Sequence, residues 1–170
     1  MSTPLKSLIP LSALTGALLM AVPPAQALDR VPVLSLEVAR KMVAACQALS
    51  REKGWRMNVA VVDAGANLVA FERMDRAFLG SIDIALQKAR FSAHFPFTTR
   101  MAGELSFGKD GKGGPVPGLA SIPGVVTFAG GLPIMAGGAH VGGIGVSGAS
   151  ADEDEVCAKA AIDAVKDSLN

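Results

Sequence analysis

Two histidines, His94 and His140, and two cysteines, Cys46 and Cys157, are the strongest candidates for chemistry in this 170-residue chain. Neither histidine has a nucleophile motif such as G-x-S-x-G beside it, so no Ser-His-Asp arrangement is indicated. Two histidines and two helical cysteines also lack the paired spacing of a closed zinc site. A single imidazole in an apolar cleft does satisfy the requirement for an axial ligand to haem iron, and either His94 or His140 can supply it. Asp63, Glu72, Asp75 and Lys88 are the acid-base candidates, with Asp63 beside a turn and Lys88 on a facing helix. Their plainer reading is a turn cap at Asp63 and surface ion pairs for the others. Lys88, Arg90, Arg100, Lys109 and Lys112 can meet the carboxylates of a ligand, or stand as ordinary solvated charges. Cys46 and Cys157 fall on the inward faces of the first and last predicted helices. A disulfide and a pair of buried thiols both fit that placement.

These side chains need a scaffold, and its centre is the stretch Met57–Met74. Met57, Val59 and Val61 alternate with Asn58, Ala60 and Val62, so both faces of a strand can be buried. Ala64-Gly65-Ala66-Asn67 then reverses the chain, with Gly65 and Asn67 as the residues tolerant of positive φ, and Leu68-Val69-Ala70-Phe71 resumes a β-favouring run. A sheet that is apolar on both faces needs a helical layer on each side. The spacing predicts a first helix over 34–53, capped by Ser35, with Val38, Ala39, Met42, Val43, Cys46 and Leu49 in one stripe. A second helix is predicted over 79–95, with Ile82, Ala85, Leu86, Ala89 and Ala93 inward and Lys88 and Arg90 near the edges. Pro96 ends it, and Thr98 or Thr99 caps a short third helix reaching about Phe107.

Gly108–Gly118 holds five glycines and two prolines in eleven residues, the composition of a shaped binding loop or of disorder. Gly124–Phe128, Pro133–Ala136 and Val141–Ser147 read as three further strands. The last helix opens on the capping box Ser150-Ala151-Asp152-Glu153, with Cys157, Ala160, Ala161, Ala164 and Val165 inward. So few residues separate the strands that most pairings must be antiparallel. The expected class is therefore α+β, a three-layer α/β/α sandwich around about five strands.

Lys6, the apolar run Leu8–Val22 and Ala25-Gln26-Ala27 form a three-part export signal, with cleavage expected after Ala27. Residues 28–170 are then a single domain in the periplasm or outside the cell. Loss of Lys6 takes the formal charge from +1 to zero, which leaves no basic excess for nucleic acid and no basis for stable membrane insertion. Gly143-Ile144-Gly145-Val146-Ser147-Gly148 matches G-x-G-x-x-G, but no parallel strand with an acidic residue can follow it. Asp152, Glu153, Asp154 and Glu155 would also repel a pyrophosphate there. The glycines are expected instead to let a helix pack closely on the sheet. Those four carboxylates lack EF-hand spacing and read as a solvated helix terminus.

The runs VAVVDAGANLVAFERMD, GSIDIALQKA, PGVVTFAGGLPIM and VGGIGVSGASADEDEVCAKAA occur in that order. Together they closely resemble the GlcG/HbpS family, the haem-degrading domain group that includes the PduO C-terminal domain. The resemblance spans about Leu34 to Val165. It implies a profilin-like fold with a five-stranded antiparallel sheet and assembly into dimers or larger oligomers. It also implies haem as a cofactor, since some exported members bind haem and take part in its breakdown or in signalling to a membrane sensor kinase. Other members come from glycolate or diol operons. The iron-ligating histidine near the amino-terminal helix of some members has no counterpart here, since no histidine precedes His94.

The leading expectation is an exported protein that binds a small molecule, haem or a related tetrapyrrole. Its pocket would be walled by Gly108–Gly118, the Pro123-Gly124 and Gly130-Gly131 turns and the end of the second helix. Lys88, Arg90, Arg100, Lys109 and Lys112 would face propionates and His94 or His140 the iron. The alternatives are an enzyme or accessory acting on a small hydroxy acid or aldehyde through Asp63, Glu72 or Lys88, and an oligomeric partner of a membrane sensor.

Overall fold

The computed structural model describes residues 31–170, and the expected export signal at 1–27 lies outside the described residues. In chain order the elements are α1 (Leu36–Lys53), β1 (Asn58–Asp63), β2 (Leu68–Arg73), α2 (Ser81–His94), α3 (Thr99–Phe107), β3 (Gly131–Ala136), β4 (Ala139–Ser147) and α4 (Ala151–Asp163). Short 3-10 turns occupy Pro117–Ser121 and Lys166–Ser168. Local chemistry sets the helix starts. Ser35, Thr98 and Ser150 each accept a backbone N–H from the first turn, and Ser150 with Glu153 closes a full capping box. Among the described residues, no helix is long and apolar enough to cross a membrane.

The strands form one antiparallel sheet in the order β2-β1-β4-β3. Register assigns each face a different job. Val59 sits opposite Val146 and Val61 opposite Ile144, and with Leu132 and Ile134 these residues pack under α1 and α4. Ala60 sits opposite Gly145 and Val62 opposite Gly143, and this thin face receives Ala85, Ala89 and Ala93 of α2. One layer is thus built from branched side chains and the other from almost none.

The expectation of close packing at the glycine run is met here. A Cβ on Gly143 would meet the carbonyl oxygen of Ala89, and one on Gly145 would meet the backbone of both Ala85 and Ala89. Neither neighbour is a flexible side chain, so the helix itself would have to move. Gly145→Ala is expected to destabilise the protein by about 3 kcal/mol in urea unfolding. Gly80→Ala, whose added methyl meets nothing within 4 Å, should stay within about 0.5 kcal/mol of the parent.

Three expectations are corrected. Among the described residues the sheet has four strands and not five, because Gly124–Phe128 is not a strand. Gly124 has φ +84°, Val125 N–H donates to the Ile122 carbonyl at 3.1 Å, and Val125 packs with Phe91, Ala102 and Leu119 away from the sheet. Pro133 on the outer strand β3 also lacks an N–H with which to continue the ladder. In the β1–β2 turn the left-handed residue is Ala66, at φ +60°, and not Gly65 or Asn67. The Asp63 carboxylate enforces that shape by accepting both the Gly65 and Asn67 N–H groups at 2.9 Å. Ala164, expected inward on α4, caps the helix end and is exposed, while Ala158 is buried in its place.

Candidate functional site

Helix α2 carries two separate stripes. Ala85, Lys88, Ala89 and Ser92 face the sheet, whereas Gln87, Arg90, Phe91, His94 and Phe95 line a cleft of about 550 Å³. The opposite wall is the loop Ile122–Val125. Positions 87, 90, 91, 94 and 95 share one helical face, which is why the cleft follows the helix. Phe91, Phe95 and Phe97 form a cluster with ring centroids 5.0 to 5.5 Å apart, so the cleft floor is aromatic and preformed. His94 is exposed at the last turn of α2 and its imidazole engages no partner among the described residues.

His140 is placed differently. Its Nε2 lies 2.8 Å from the Ser92 carbonyl oxygen, which can only accept, so Nε2 carries the proton and is not a free ligand nitrogen. His140 lines no part of the cleft. The glycine-rich loop is elsewhere too: Gly108 and Lys109 border a second hollow, of about 330 Å³, with Arg100, Gly103, Thr127 and Phe128. The single pocket expected from sequence is divided between these two places. Only its Pro123-Gly124 and α2 portions meet.

The cationic candidates separate in the same way. Arg90 alone shares the cleft with His94. Arg100 is held by Asp152 and Glu155, which raise its pKa in that order of effect. Lys109 and Lys112 lie beside Glu104 and Asp110 at 3.9 and 3.5 Å. Lys88, expected near a helix edge, is completely buried. Its ammonium donates to Asp154 Oδ2 at 2.8 Å and to the Val146 carbonyl at 2.9 Å, and sits 4.6 Å from the Phe128 ring centre.

Asp154 in turn accepts the N–H groups of Gly148 and Ala149 at 3.0 and 3.1 Å. The pair therefore ties α2, β4 and the start of α4 together. Burial pushes the Lys88 ammonium down and the Asp154 carboxyl up, each opposed by the attraction of the other. Nor is this helix start a wholly solvated terminus, since Glu155 is buried as well. Burial raises its carboxyl, but Lys159 and Arg100 outweigh that and leave it below its ordinary value.

The acid-base candidates are not brought together. Asp63 is committed to its turn, where the Asn67 N–H foremost holds its carboxyl below the usual range. Glu72 and Asp75 lie at the far end of β2, beside α1. No group of three or more metal-ligating side chains occurs among the described residues. Cys46 and Cys157 lie side by side on α1 and α4, with Cα atoms 4.9 Å apart and their sulfurs bonded.

The family model described as "Haem degrading protein HbpS-like" matches residues 34–163. The chain belongs to the HbpS-like family. Protein GlcG of Escherichia coli K12 is 30% identical over 115 residues, which is 68% of this chain and 81% of GlcG. A double mutant of Streptomyces reticuli HbpS superimposes with a TM-score of 0.72 at 33% identity, covering 87% of this chain and 97% of that one. A PduOC structure, crystallised as a complex with haem, superimposes with a TM-score of 0.70 at 26% identity, covering 78% and 95%.

Sequence reasoning about this HbpS-like chain did not single out Phe91, Phe95 or Val125 as cleft residues. The aromatic spacing 91, 95 and 97, on and just beyond a predicted helix, was the available signal. Val125 was hidden by the reading of Gly124–Phe128 as a strand.

Proposed function

We propose that this HbpS-like protein binds haem, or a closely related tetrapyrrole, in the cleft between α2 and Ile122–Val125. The observation that carries the reading is an unpartnered imidazole, His94, at the mouth of a preformed cleft floored by aromatic rings. About 550 Å³ falls within the range of cofactor sites. The donor set fits a tetrapyrrole: Phe91, Phe95 and Val125 take the macrocycle's apolar faces, His94 its iron and Arg90 a propionate. Bound haem would supply redox-active iron and an open coordination position. The protein's part is to ligate, orient and shield it. Family membership and a haem complex of a PduO relative support the same reading. We place this activity in the periplasm or outside the cell, on the strength of the leader-like residues 1–27.

Haemin titration of the purified protein, followed in the Soret band, tests the site. A shift that saturates near one equivalent is expected, with His94→Ala weakening binding by about tenfold or more. His140→Ala should bind as the parent does, since that residue lines no part of the cleft. The reading fails if no Soret shift appears, or if His94→Ala leaves the titration unchanged.

A further inference from the structure

The largest concentration of unpaired charge lies away from the haem cleft, where α1 meets the base of the β1–β2 hairpin. Arg51, Arg56, Arg73 and Arg76 line one hollow of about 540 Å³ together with Glu72 and Asp75. Elsewhere in the described residues, Lys41, Lys88, Arg100, Lys109, Lys112 and Lys159 each have a carboxylate within 4 Å. Among the described residues, the four guanidiniums of this hollow have none, and Glu72 and Asp75 pair with no cation.

The hollow is also braced. The Arg56 guanidinium donates to the Trp55 carbonyl at 3.0 Å, and Arg51 leans on Gln47 at 3.4 Å. At the floor, Met74 N–H donates to the Met57 carbonyl at 3.0 Å, and Met57 N–H to the Met74 sulfur at 3.4 Å. Arg76 is held at φ +65°, a backbone conformation that a side chain disfavours and that a folded chain retains only where its surroundings enforce it.

We infer that this hollow binds a small polycarboxylate. Guanidinium is the side chain suited to forked, two-point contact with a carboxylate, and here four of them come from the end of α1, the α1–β1 connection, the end of β2 and the turn that follows it. Groups spread over separate segments around such a volume match several carboxylates on one carbon frame better than one compact phosphate. Glu72 and Asp75 keep the local charge from exceeding two positive units and offer acceptors to hydroxyls on the ligand. The site is independent of the proposed haem site, since it lies on the α1 side of the sheet and shares no residue with the α2 cleft.

Calorimetric titration of the purified protein with citrate at low ionic strength tests the inference, with inorganic phosphate as the comparison ligand. Saturable citrate binding is expected at submillimolar concentration, with phosphate at least about tenfold weaker. Arg51→Ala and Arg73→Ala should each weaken citrate by about tenfold, and Arg73→Lys should lose most of the affinity despite keeping its charge. These side chains are exposed, so the variants should retain the parent's thermal midpoint and its response to haemin. Absence of citrate binding, phosphate binding as tight as citrate, or unchanged citrate affinity in both alanine variants would each overturn the inference.

Discussion

Replacing Asp154 with alanine is expected to lower the unfolding free energy by about 3–5 kcal/mol, read as a fall in the urea midpoint. The substitution leaves the Lys88 ammonium buried with only the Val146 carbonyl and the Phe128 ring to stabilise it. It also orphans the Gly148 and Ala149 N–H groups that the carboxylate accepts. Asp154→Asn should therefore cost less, because it restores an acceptor for those two groups while still removing the charge. Lys88→Met makes the complementary test. Its buried carboxylate has lost the cation that opposes burial, so the folded-state pKa of Asp154 rises further above its unfolded value of about 3.9. A raised carboxyl favours the folded state below the unfolded pKa and loses that advantage as pH rises through the folded pKa. Relative to the parent, Lys88→Met is thus expected to be more stable near pH 4 than at pH 7. Equal loss at both pH values would mean that the pair is held by packing and not by charge.

Breaking the Cys46–Cys157 link is expected to have an effect of similar size. The bond closes a loop with a sequence separation of 111, for which the chain-entropy estimate is about 4–5 kcal/mol. Denatured protein should take up no alkylating label before reduction and two labels after it, and the reduced form should unfold at much lower urea. Two labels without reductant would show that the thiols are free. The link joins α1 to α4 over the branched face of the sheet, where Met42, Val43, Ala158 and Ala161 also meet. A bond in that position suits an oxidising compartment, the setting proposed above from the leader-like residues 1–27.

What could be read from sequence was what local chemistry decides. The caps at Ser35, Thr98 and Ser150 depend on a side chain and an N–H three residues away, so their spacing is visible in the chain. The double-sided burial of β1 shows in its unbroken apolar run, and Gly143 and Gly145 could be matched to a helix that must lie on them. Lys88 could not be read in this way, because the partner that allows its burial is Asp154, 66 positions further on. A lysine on an amphipathic helix has the same local pattern whether its partner is solvent or a distant carboxylate. Gly124–Phe128 failed for another reason: a five-residue apolar run fits a strand or a packed loop equally, and Pro133 on the neighbouring edge decides between them. The two clefts were only partly visible. His94 and Arg90 were flagged, but the arginine hollow is assembled from α1 and the hairpin, which no spacing rule connects.

The glycine face of the sheet has a mechanical consequence for whatever α2 holds. With Ala60, Val62, Gly143 and Gly145 beneath it, the helix rests backbone against backbone at the two glycines and has little bendable side-chain volume on which to tilt or slide. A guest seated on its outer surface meets an anvil on that side, and any accommodation to the guest's shape falls to the opposite wall, the loop Ile122–Val125.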